Sequence, residues 1–130
     1  MARARGTTIA AIASPSGGAA RGVVRISGPR AAAIVSAACT RVATEPEPRM
    51  RERRTLGHWA PGARGAVEVE LHDGVALLPG RVLWFPGPRS FTCEDVAELH
   101  VPGAAPLVRR VLQRVLALGA TLAEPGEFTR

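Results

Sequence analysis

The chain has 130 residues and a mass of 13.6 kDa, room for one ordinary domain, and its 46% of apolar residues is enough to give that domain a core. With 22% charged residues and a mean hydropathy of +0.08 it is neither a disordered tail nor a membrane protein, and no apolar run approaches the length of a spanning helix. All 17 basic residues are arginine, giving a net charge of +6; without lysine the chain holds no GxxxxGK(S/T) phosphate loop and no Schiff-base or lysine-base chemistry. Asn and Tyr are absent too, so the isoelectric point of 11.3 reads as compositional bias, although a polyanion partner stays open.

The opening MARARG is basic like the start of a signal peptide, but TTIAAIAS (7–14) is a short apolar run closed by Pro15 and two glycines. It reads better as a strand that pairs with GVVRISG (22–28) across a wide, glycine-rich loop. The chain is therefore read as cytoplasmic, and Cys39 and Cys93 fit this, being neither a disulfide framework nor a CxxC pair. PRAAAIVSAAC (29–39) predicts a helix, with Pro29 in its first turn and Ala31, Ile34, Val35 and Ala38 at helical spacing. TEPEPRMRERR is a polar surface connection; its arginines are a solvated loop or, with Arg41 and Arg64, a polyanion contact, and no aromatic residues interleave for base stacking.

RTLGHWA (54–60) is a candidate strand, and AVEVELH (66–72) alternates cleanly, with Val67, Val69 and Leu71 on one side and Glu68, Glu70 and His72 on the other. An Asp73-Gly74 turn follows, then a strand RVLWF (81–85) that the Pro-Gly-Pro of FPGPRSFT stops. VAELHV (96–101) alternates Val96, Glu98 and His100 against Ala97, Leu99 and Val101. PLVRRVLQRVLALGA (106–120) is the clearest helix, with Pro106 at its start, a stripe of Leu107, Val108, Val111, Leu112, Val115 and Leu116, and Gly119 at its stop. TLAEPGEFTR adds a short strand and ends in mid-phrase, as a cut sequence or a short gene product would. The order β-β-α-β-β-β-β-α-β predicts an α+β domain with two main helices.

Few residues suggest catalysis. His58, His72 and His100 are isolated in three predicted strands, with no metal-ligand spacing. Cys93 lies beside Glu94 and Asp95, which disfavour its thiolate, and Ser90 has neither a base nor a GxSxG elbow. Two charges do sit awkwardly within strands, Arg25 in GVVRISG and Glu98 in VAELHV. Each either faces solvent or is kept for a ligand or an ion pair. A carboxylate can accept two parallel hydrogen bonds from an amidine-like edge such as that of a pterin or guanine, while an arginine can meet a carboxylate or carbonyl of the same ligand.

Three ordered segments, TTIAAIASPSGGAARGVVRISGP, FPGPRSFTCEDVAELHVPG and LAEPGEFTR, resemble the N-terminal domain of the MnmE (TrmE) family of tRNA-modification GTPases. The resemblance covers nearly the whole chain, taken as one domain over 1–130. It implies a mixed-sheet α+β fold similar to the folate-binding domain of the glycine-cleavage aminomethyltransferase. It also implies a tetrahydrofolate derivative (5-formyl- or 5,10-methylene-tetrahydrofolate) as ligand, a homodimer, and no membrane. The partners would be an MnmG-type flavoprotein and, through the full complex, a tRNA whose wobble uridine is modified. By position, the family's folate-contacting residues fall on Arg25 and Glu98; Glu98 would take the pterin edge and Arg25 another polar part of the folate.

The sequence departs from the family where SFTGED reads SFTCED, with Cys93 for glycine, and where a His-Gly-Gly turn reads HVPGAAP. The family's GTPase and helical domains have no counterpart in these residues, so the chain by itself is expected neither to bind GTP nor to complete the modification. The alternatives are a non-catalytic adaptor that uses its arginine loop on tRNA, or an aminomethyltransferase-like enzyme, for which Glu98 alone is thin support.

Overall fold

The computed structural model describes residues 6–13, 21–43, 55–88, 94–124 and 127–129. The 14–20 loop, the arginines of 49–54, Ser90 and Cys93 lie outside the described residues. The elements in chain order are β1 (Ile9–Ile12), β2 (Arg21–Ser27), α1 (Ala31–Ala38), β3 (Cys39–Val42), β4 (Thr55–His58), β5 (Gly65–His72), β6 (Leu77–Phe85), β7 (Val96–Pro102), α2 (Ala105–Ala117), β8 (Thr121–Leu122) and a 3-10 turn, Glu127–Thr129. The strands form one eight-stranded sheet in the order β4-β3-β5-β6-β7-β2-β1-β8. All its pairings are antiparallel except β1 with β8, so the sheet is mixed and the α+β expectation holds.

Three boundaries differ from the sequence reading. β3 was not anticipated: Cys39 follows α1 directly, and the β-branched Thr40 and Val42 enter the sheet between β4 and β5 with no turn residue to announce the change. β6 starts at Leu77 rather than 81, carrying Pro79 inside a strand. Pro29 precedes α1 by two residues instead of sitting in its first turn, and Arg30 N–H at that end donates to Thr8 Oγ1 at 2.9 Å. The other cues place their elements well. Gly119, at φ +123°, turns the chain out of α2, and Gly74, at φ +97°, follows Asp73, whose carboxylate accepts the N–H groups of Val75 and Ala76.

Both helices pack on one face of the sheet. Val24 and Ile26 of β2, Ala97, Leu99 and Val101 of β7, Val82 and Trp84 of β6, and Val69 and Leu71 of β5 bury there against Ile34 and Val35 of α1 and Val108, Val111 and Val115 of α2. Trp59 and Trp84 meet edge to face at 5.1 Å within this core. Gly22 lets α2 approach: a Cβ there would lie 2.2 Å from Val108 Cγ2. Because valine is stiff at χ1, Gly22→Ala should cost about 1–3 kcal/mol of stability, read as a lower thermal midpoint. An unchanged midpoint would show that α2 can slide. No described helix is long and apolar enough to cross a membrane.

Candidate functional site

Strand alternation that buries Val24, Ile26, Ala97 and Leu99 under the helices sends Val23, Arg25, Glu98 and His100 to the opposite face. Register then decides which of them meet. Arg25 on β2 is directly opposite Glu98 on β7, and Glu98 is directly opposite Leu83 on β6. One residue pair along the same face, His100 stands between Val23 and Arg81, and Arg81 faces Glu68 of β5. The two awkward charges of the sequence are therefore cross-strand partners.

Arg25 donates from Nε and Nη2 to Glu98 Oε2 at 3.0 and 2.8 Å, and His100 Nε2 lies 3.0 Å from Glu98 Oε1. Since a carboxylate only accepts, His100 carries its proton on Nε2; its Nδ1 is buried and has no hydrogen-bond partner among the described residues. The Arg25 guanidinium also lies 5.8 Å from the centre of the Phe128 ring, which brings the 3-10 turn onto this face. Burial alone would raise the Glu98 carboxyl; hydrogen bonds and charge from His100 and Arg25 outweigh it and hold the group below the usual carboxylate range. Glu98 is thus an oriented, ionised acceptor with a side chain 17% exposed, reachable from solvent without being flooded by it. Its two oxygens offer about four lone-pair positions, and the three N–H contacts from Arg25 and His100 do not fill them.

Beyond His100 the face opens into a cleft of about 310 Å³ lined by Arg21, Glu68, Pro79, Arg81, His100 and Pro102. Its origin is in the ladder. β6 and β7 pair only up to Arg81 and His100, and the residues past that point include two prolines, Pro79 and Pro102, which have no N–H to bridge the gap. At the other end of the face, Arg64 stacks on Phe85 at 5.1 Å beside a second hollow.

Other candidates drop out. His58 is bonded to the Ser36 carbonyl through Nδ1, and His72 Nδ1 accepts the Gly74 N–H, so both serve local structure. Cys39 is buried in the core, which pushes its thiol up to about 12 and leaves it unreactive at neutral pH. Among the described residues no group of His, Cys, Asp and Glu could hold a metal ion.

The family model described as "GTP-binding protein TrmE N-terminus" matches residues 8–130. The chain belongs to the TrmE N-terminal family. Among similar proteins, the tRNA modification GTPase MnmE of Stutzerimonas stutzeri is 43% identical over 122 residues, covering 94% of this chain and 23% of that protein. The namesake from Caulobacter vibrioides is 43% identical over 123 residues, covering 95% and 24% respectively. That from Heliobacterium modesticaldum is 40% identical over 133 residues, covering 96% and 25%. The chain thus spans about a quarter of the length of the relatives it matches. Within this TrmE-type domain, sequence reasoning singled out Arg25 and Glu98 but took His100 for an isolated histidine, and it passed over Arg81 and Glu68. A signal for His100 existed: it is two residues from Glu98 in an alternating strand, hence on the same face. Arg81 and Glu68 needed the register.

Proposed function

We propose that this chain is the reduced-folate-binding and dimerising domain of a longer GTP-dependent tRNA-modifying protein. The observation that carries the folate reading is the Glu98 carboxylate, ionised and oriented by Arg25 and His100 on the sheet face that the helices leave open. Such an acceptor suits the paired N–H donors of a pterin's 2-amino and ring nitrogen. Arg25 commits Nε and Nη2 to Glu98, so its role is first to position that carboxylate; Nη1 is the nitrogen left for a polar atom of the ligand. The family membership supports the wider assignment: a folate-derived one-carbon unit, a flavoprotein partner and a wobble uridine in tRNA. Calorimetric titration of the chain with 5-formyl-tetrahydrofolate should show one site per protomer and a ligand-dependent rise in thermal midpoint. Absence of both overturns the folate reading.

Dimerisation is read from the family, and the apolar side chains Ile12 and Leu122, 39% and 56% exposed at the β1–β8 edge, support a covered surface there. Light scattering should give twice the 13.6 kDa monomer mass. A monomer mass at high protein concentration would remove the dimer from the proposal and leave the folate site standing.

A further inference from the structure

The helix layer, on the far side of the sheet from Glu98, carries a one-sided charge. α1 contains no charged residue, and α2 contains Arg109, Arg110 and Arg114 with no acidic residue among them. Arg30, the exposed residue that precedes α1, joins them at the end of α2: its Cζ lies 3.1 Å from where a Cβ on Gly119 would stand. From Arg109 to Gly119 the track covers about 15 Å at the rise of an α-helix. Asp73, which meets Arg110 from the β5–β6 turn, is fully buried and already accepts from Val75, Ala76 and Arg110. Arg30, Arg109 and Arg114 are in no ion pair among the described residues, and Arg114 Nε is buried with no hydrogen-bond partner among them. The large apolar side chains that are exposed among the described residues, Ile12, Leu56, Val75, Leu77 and Leu122, all lie outside the two helices. The track therefore lacks the apolar anchors that a protein partner or a membrane would use. Neither helix has an aromatic residue on which a base could stack. What the surface offers is a line of guanidiniums, which suits the phosphates of a nucleic-acid backbone.

We propose that this arginine track, formed by Arg30, Arg109, Arg110 and Arg114, binds the phosphate backbone of RNA directly and without reading base sequence. The inference rests on the tRNA part of the reading above and is independent of its folate part. It adds that this domain itself touches the RNA, and that it does so on the side of the sheet opposite Glu98, so that RNA and the small ligand need not compete. Arginine suits the task because its planar fork meets two phosphate oxygens through parallel N–H groups, and because three of the four guanidiniums have no carboxylate to neutralise them among the described residues.

The test is fluorescence anisotropy of the chain with a labelled tRNA transcript and with a labelled RNA hairpin of scrambled sequence, over a range of about 50 to 200 mM salt. Both RNAs should bind with dissociation constants of micromolar order and similar affinity, and the logarithm of the affinity should fall with that of the salt concentration at a slope of about −3. The triple variant Arg30→Gln/Arg109→Gln/Arg114→Gln should bind both RNAs about 10- to 100-fold more weakly and flatten the slope by about 2 to 3. None of the three side chains holds a hydrogen bond or ion pair among the described residues, so the thermal midpoint and the titration with 5-formyl-tetrahydrofolate should match the parent's. Should the triple variant melt early, Arg109→Glu, at an exposed helix position, should still weaken RNA binding about 3- to 10-fold. Parent-like affinity and slope in these variants overturn the inference, as does a loss confined to Arg51→Gln/Arg53→Gln/Arg54→Gln. A preference for the tRNA over the scrambled hairpin that survives the triple substitution overturns it too. If the parent chain binds neither RNA, the direct contact is lost while the folate reading stands.

Discussion

Replacing Glu98 with alanine should weaken 5-formyl-tetrahydrofolate binding about 30- to 1,000-fold, equivalent to about 2–4 kcal/mol, because the ligand's paired donors would be left unmet in a partly desolvated site. Glu98→Gln should lose nearly as much, since the amide turns an N–H toward donors that need an acceptor. Arg25→Ala should cost less, as His100 still holds one carboxylate oxygen. The three variants should stay folded, because the core lies on the other face of the sheet. Glu98→Ala still frees Arg25 and His100 from their shared partner, and a stability loss of about 1–2 kcal/mol is expected in the thermal melt. The pH dependence has a defined sign. The folded-state pKa of Glu98 is lowered, so the ionised acceptor persists through the ordinary carboxylate range, and binding should fall only as pH drops through that lower value. Parent-like affinity in Glu98→Ala would place the pocket elsewhere.

Asp73→Ala should be the most damaging single change outside the sheet's core, at about 2–4 kcal/mol or roughly 10 °C of thermal midpoint. The Asp73 side chain is fully buried at the β5–β6 turn, where Oδ1 accepts from Val75 and Ala76 N–H, each at 2.8 Å, and Oδ2 accepts from Arg110 Nε of α2 at 3.0 Å. Its loss unpins the turn from the helix and strands two backbone donors. Burial would raise this carboxyl, but the two backbone N–H groups and Arg110 outweigh it and lower the pKa. Its contribution is therefore present above the ordinary carboxylate range and lost as pH falls through the lowered value, where parent and Asp73→Ala should converge in stability. Arg110→Ala should cost less, because Asp73 keeps both backbone donors and Arg110 is itself 39% exposed. A midpoint for Asp73→Ala within a degree or two of the parent would show that the turn holds by backbone geometry alone.

Much of this domain was legible before any coordinates. Local periodicity is enough to set which face of a strand or helix is apolar, so β5, β7 and α2 were anticipated with their alternating or apolar faces and β2 as a strand, and Gly119 and Asp73-Gly74 marked their turns. The charges of Arg25 and Glu98 stood out for the same reason, as polar residues within apolar runs. What local pattern cannot carry is pairing between distant segments. Arg25 and Glu98 are 73 residues apart in the chain, and only the antiparallel register of β2 with β7 makes them partners. The same register adds His100 to Glu98 and sets Arg81 against Glu68, and the failure of β6 and β7 to pair past Arg81 and His100, where Pro79 and Pro102 lie, opens the cleft. β3 escaped notice because four residues directly after a helix have no periodicity of their own and are drawn into the sheet by β4 and β5 on either side. The sequence alone, then, determined the amphipathic elements and the family, since both are written in local spacing and motif; tertiary structure alone decided the charge network and the cleft, since these depend on hydrogen-bond registry across strands that the chain brings together only on folding.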